Sequence, residues 1–167
     1  MNPFPNVSLT RRKDDEFVKE ETQDLFAGKN IVLFGLPGAF TPTCSTRQLP
    51  EYEKAVTDFQ ALGIDEVWCT SVNDDFVMKA WFDSMNIRYV KPLADGNAHL
   101  AAMLNMLVIK SDKGFGMRSW RYAMVIKDMN IVYCAEEEGK RDDEKEDPYK
   151  VSDPDSILAF LRQSGGL

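Results

Sequence analysis

The stretch LFGLPGAFTPTCSTRQLPEYEKAV, Leu33 to Val56, holds the transition on which the fold turns. Its first part completes NIVLFGLPG, a nearly continuous apolar run closed by glycine and proline, the pattern of a strand buried on both faces. From Thr43 to Leu62 the composition becomes helical, with Tyr52, Val56, Phe59 and Leu62 spaced by four or three. Pro50 lies inside that segment and predicts a kink or a split. Between strand and helix stands a thiol, Cys44. Open α/β sheets place ligands outside the carboxyl ends of their strands, and Cys44 follows such an end.

Outward from this unit, EVWCTSVN (66–73) reads as a second strand. Asn73 is placed to cap the helix DDFVMKAWFDSM, with Phe76, Val77, Ala80, Trp81 and Met85 on one face. A short strand near RYVKPLADG and a helix near AHLAAMLNM follow. RYAMVIKDMNIVYCAEEE alternates about the polar turn KDMN and predicts an antiparallel hairpin. The last helix lies in VSDPDSILAFLRQSGGL, with Ser152 or Asp153 as N-cap and Pro154 in its first turn. This order predicts an α/β fold with a central mixed β-sheet flanked by helices. The 167 residues fit a single domain, 1–167, with no repeat or linker.

A formal charge of −7 argues against a nucleic acid or an anionic membrane as partner. No apolar run approaches the ~18 residues of a membrane helix, and the amino terminus lacks the order of a secretory signal. Three cysteines make no disulfide framework, which points to a reducing, cytoplasmic setting. No two cysteines have metal-ligand spacing, and His99 is alone, read as a helix-surface or core histidine, so no metal or cofactor is expected.

The cysteines differ in setting. Cys69 and Cys134 lie in predicted strands and read as packing residues. Cys44 lies at a helix amino terminus, whose free N–H groups and dipole favour a thiolate. Thr41 can turn its hydroxyl toward the sulfur or a bound oxygen, Pro37 and Pro42 stiffen the loop, and Gly38 permits close backbone approach. An exchange pair would need a second cysteine where Arg47 stands, and a hydrolase would need a histidine base. On these grounds alone the reactive and the packing readings of Cys44 both stand.

PGAFTPTCS resembles the active-site signature of the peroxiredoxins, with Pro37, Thr41 and Cys44 at the matching positions. SVNDDFVMKAW, DGN, GFGMRSWRYAMV and DPYKVSDPDSIL extend the similarity to the type-five subgroup, including forms fused to glutaredoxin. The resemblance implies a thioredoxin-like fold and reduction of hydrogen peroxide or alkyl hydroperoxides. By position it implies that Cys44 is the peroxidatic cysteine, Thr41 the hydroxyl that orients the peroxide, Pro37 the shielding proline and Arg121 the pocket arginine. Arg118 would support Arg121 or meet a partner subunit. A homodimer packed near the active-site loops is implied as well, with Phe40 and Phe115 as candidate contacts.

Some type-five members carry a resolving cysteine before the last helix, whereas EEEGKRDDEKEDPYKVSDPDS has none and reads as a solvated loop. That difference points to a one-cysteine mechanism recycled by glutathione, glutaredoxin or thioredoxin. The alternatives are an internal disulfide from Cys44 to Cys134 or Cys69, and a non-enzymatic redox sensor or binding module.

Overall fold

The computed structural model describes residues 2–167. Its centre is a six-stranded mixed sheet in the order β1 (Asn2–Pro3), β10 (Asn130–Glu136), β9 (Tyr122–Lys127), β4 (Asn30–Gly35), β5 (Glu66–Ser71), β6 (Lys91–Ala94). β4, β5 and β6 run parallel, while β9 is antiparallel to both β4 and β10. Every residue of β4 beyond Asn30 is buried, as its apolar run requires of a strand covered on both sides.

Alternation along β4 divides the core. Ile31 and Leu33 join one cluster with Phe26, Trp68, Leu100 and Met124. Val32 and Phe34 join the other with Cys44, Tyr52, Phe59, Trp81 and Ile157. The second cluster brings together α2 (Leu49–Ala61), α3 (Asp75–Ser84) and α5 (Pro154–Gln163), and the first is covered by α1 (Thr22–Phe26) and α4 (His99–Met103). Phe34 stacks on Tyr52 at 4.0 Å between ring centroids, fastening α2 to the sheet from which the loop before Cys44 leaves.

The predicted hairpin forms with Asp128 and Met129 at positive φ, a two-residue turn that matches the twist of β9 and β10. α5 begins after Asp153, with Pro154 at its first position. Two hairpins come in addition. β2 (Ser8–Lys13) and β3 (Glu16–Glu21) turn through Asp14 and Asp15, both at positive φ, so the charge reversal in RRKDDE marks a turn. β7 (Leu107–Lys110) pairs with β8 (Gly116–Ser119) and carries residues toward the site.

Three expectations are corrected. Asp74, not Asn73, caps α3, accepting a hydrogen bond from the Val77 N–H at 2.9 Å. Asn73 instead accepts from the Ala39 N–H at 3.0 Å and steadies the loop after β4. On α3 the buried side chains are Asp75, Met78, Trp81 and Phe82, whereas Phe76 is exposed, edge-on to Phe17 of β3. Lastly, Pro50 does not split its helix. A π-turn over Cys44–Gln48 leads directly into α2, with the Leu49 N–H donating to the Cys44 carbonyl. The widened turn accommodates a residue that has no N–H to give.

Candidate active site

Cys44 stands in the first turn of this helix, behind the loop from Leu36 to Thr41 that leaves the end of β4. Gly38 is needed by a close approach, because a Cβ there would lie 2.2 Å from Arg118 Nη1. Arg118 Nη1 donates to the Pro37 carbonyl and its Nε to the Phe115 carbonyl, both at 3.1 Å. It therefore staples the proline loop to the β7–β8 hairpin. Thr41 Oγ1 donates to the Gly38 carbonyl at 2.7 Å, which leaves its lone pairs to accept a hydrogen bond.

Arg121, buried just before β9, reaches across the sheet end to the thiol. Its Nη1 lies 3.4 Å from Cys44 Sγ and also donates to Gln48 Oε1, while Nη2 donates to Asp147 Oδ1 at 2.6 Å. Burial works against the guanidinium charge, but the Cys44 sulfur and then the Asp147 carboxylate outweigh it, holding the Arg121 pKa above that of free arginine. Burial lowers the pKa of Arg118, partly offset by Cys44.

Beside these groups is a cavity of about 260 Å³ lined by Pro37, Thr41, Pro42, Lys110, Lys113, Phe115 and Asp147. Cys44 has no exposed surface and is not on the cavity wall. Phe115 is half-buried and lines the cavity, unlike Phe40, which is 58% exposed.

Residues 1–151 match the family described as Redoxin. Relatives include a peroxiredoxin of Rhizobium etli, 49% identical over 167 residues, 95% of this chain and 93% of that protein. The chain belongs to the peroxiredoxins. The hybrid peroxiredoxin hyPrx5 of Haemophilus influenzae is 41% identical over 157 residues, 94% of this chain and 64% of that protein. The solved structure of a Plasmodium falciparum antioxidant protein, described as a 1-Cys peroxiredoxin, aligns with a TM-score of 0.91 at 34% identity, over 97% of this chain and 98% of that one. This peroxiredoxin is of the type-five kind and is a thiol-dependent peroxidase.

In this peroxiredoxin the candidate site departs from sequence expectation in its far wall. The charged segment 136–156 is not simply solvated, because Asp147 pairs with Arg121 and Glu137 is buried. Glu137 accepts from the N–H groups of Lys150, Val151 and Ser152 at 2.9, 2.9 and 2.8 Å, and from the Ser152 hydroxyl at 2.6 Å. Burial pushes its pKa up, but these hydrogen bonds prevail and hold it below the usual range. Gln48 was legible in principle, four residues after Cys44 on the same helix face. Nothing local in the sequence marks Asp147 or Lys110.

The other cysteines part company. Cys69 is buried in the Cys44 cluster, and burial, with the nearby Cys44, drives its pKa well above that of a free thiol. Cys134 is exposed rather than packed, because β10 turns the neighbouring Ala135 into the core and Cys134 to the opposite face. Surrounding protein and the Glu136 carboxylate push the Cys134 thiol up to about 11. His99 is exposed at the start of α4, and among the described residues no group of three His, Cys, Asp or Glu could hold a metal ion. Among those residues no helix is long and apolar enough to cross a membrane.

Proposed function

We propose that Cys44 is the peroxidatic sulfur of a one-cysteine cycle, with Thr41, Arg121 and Pro37 arranging the peroxide around it. The contact between Arg121 and Cys44 Sγ carries this reading, because a buried guanidinium beside sulfur favours an anion there. Cys44 as thiolate attacks the terminal oxygen of ROOH. The S–O bond forms as O–O breaks, sulfur loses two electrons, and the leaving RO⁻ takes a proton to become ROH. Thr41, its own proton committed to Gly38, accepts the hydrogen bond of the attacked oxygen. Arg121 stabilises charge as it spreads along the S–O–O axis. Pro37 covers the site, and a shift of the 37–41 loop admits substrate to the buried sulfur.

An external thiol then attacks the sulfenic acid, releasing water and leaving a mixed disulfide, and a second thiol restores Cys44. Glutathione, glutaredoxin and thioredoxin supply such thiols in a cytoplasmic setting. The positions of the other cysteines support external recycling: Cys134 faces away from the Cys44 layer, and Cys69 is a buried thiol with its pKa raised. A homodimer formed through the exposed Phe40 completes this reading.

Intact mass after one equivalent of hydrogen peroxide, with and without glutathione, tests the cycle. The expected product is a sulfenate that converts to a glutathione adduct, absent in Cys44→Ser. Loss of two protons without an adduct means an internal disulfide and ends the one-cysteine reading.

A further inference from the structure

The cavity beside Thr41 contains one cation without a partner. Lys113 Nζ is held by Asp112 at 3.2 Å and the Glu144 carbonyl at 3.1 Å, and Asp147 is committed to Arg121. Lys110, only 3% exposed, has neither a hydrogen-bond acceptor nor a carboxylate within ion-pair distance among the described residues. Its ammonium lies 5.5 Å from the centre of the Trp120 ring. Burial, and then the neighbouring Lys113, lower its pKa. Its Nζ is not sealed off from solvent, so a nearly buried side chain with no anionic partner of its own can take one from solution and becomes a recognition element.

The surroundings specify the partner. Pro37, Pro42 and Phe115 give the cavity apolar walls, and with Lys113 paired to Asp112 and Asp147 to Arg121, Lys110 is left as its uncompensated positive charge in a chain of net charge −7. At about 260 Å³ it is smaller than most pockets for drug-sized molecules, so its guest is short. We propose that Lys110 is a specificity-determining residue that binds the carboxylate of a small apolar acid, carried either by the hydroperoxide or by the thiol that recycles the enzyme. This rests on the proposed role of Cys44, buried behind the 37–41 loop, and of Thr41, which lines the cavity, as the reacting end. A guest with its reactive group at Thr41, its carbon chain along Pro37 and Phe115 and its carboxylate at Lys110 uses each kind of wall.

Matched pairs separate the two sources. One arm compares 4-hydroperoxypentanoate with its methyl ester in sulfenate formation, and the other compares 3-mercaptopropionate with its methyl ester in sulfenate reduction. Each is read as an acid-to-ester rate ratio, so a general loss of activity cancels. In at least one arm the ratio should fall about tenfold in Lys110→Met and be largely kept in Lys110→Arg. The arm that responds names the source. Equal ratios in wild type and Lys110→Met in both arms overturn the proposal, including the case in which acid and ester slow together.

Pentanoate binding to the reduced protein, followed by NMR shifts of the cavity residues, is independent of turnover. Binding about tenfold tighter than methyl pentanoate in wild type, and no such preference in Lys110→Met, supports Lys110 even if Cys44 proves not to react. Absence of that preference in wild type overturns the proposal even if peroxide turnover is normal.

Discussion

The two walls of the site are built by opposite means. The near wall, residues 37 to 48, is local: a loop stiffened by prolines, a threonine and a thiol three residues apart, and a helix turn. The far wall, residues 137 to 152, is tied down by long-range contacts, chief among them the buried Glu137 carboxylate that gathers three consecutive N–H groups. The near wall presents the proposed reacting atom, and the far wall supplies the countercharge for the arginine that reaches it. Chemistry should therefore fail abruptly when the near wall is altered, and orientation should decay gradually when the far wall is.

The largest expected effect is on the near wall. Cys44→Ser should lower peroxide consumption by more than about a thousandfold, to background in a stopped-flow assay, because it removes the proposed nucleophile. Glu137→Ala tests the far wall. Loss of hydrogen bonds to a charged, buried acceptor should cost about 3 kcal/mol in a denaturant titration. Since the Glu137 carboxyl titrates below its unfolded value of about 4.3, its contribution is complete above that pH. It is lost as pH falls through the folded pKa. The gap in stability between wild type and Glu137→Gln should accordingly narrow in acid.

Asp147→Asn separates orientation from folding. With a carboxylate 41% exposed, its ion pair is screened, so stability should change by less than about 1 kcal/mol. The rate of sulfenate formation should still drop about tenfold as the second anchor of Arg121 loses its charge and its hydrogen bond weakens. A stability loss well above about 1 kcal/mol with an unchanged rate would reverse the roles given to the two walls. The smallest effect is expected from Gly38→Ala, where the added methyl meets the far end of the long Arg118 side chain, which can shift by giving up its bond to Pro37. The rate should fall a few-fold, and Arg118→Lys should give a similar loss, since both free the Pro37 carbonyl.

Legibility in the sequence follows the same division. The buried strand, the threonine–cysteine spacing and the helical segment are patterns within some thirty residues, and local physics fixes them. Arg121 was found through the family resemblance and not through any local pattern. The segment 136–156 was misjudged because a dense run of charge ordinarily means solvent, and burial of Glu137 depends on N–H groups thirteen to fifteen residues away. Cys134 was misjudged for a related reason. Its strand was correct, but which face looks outward depends on a register shift between Ile131 and Tyr133.

The wide turn at Cys44–Gln48 has a geometric consequence of its own. An α-helix advances about 100° per residue, so one surplus residue in a turn rotates everything before it by roughly that angle relative to everything after. The downstream helix is clamped by the stacking of Tyr52 on Phe34, which leaves the upstream end to absorb the whole rotation. The bearing of the sulfur is thus set by a single inserted position, and deleting one residue between Ser45 and Gln48 would swing it off axis while leaving the clamp intact.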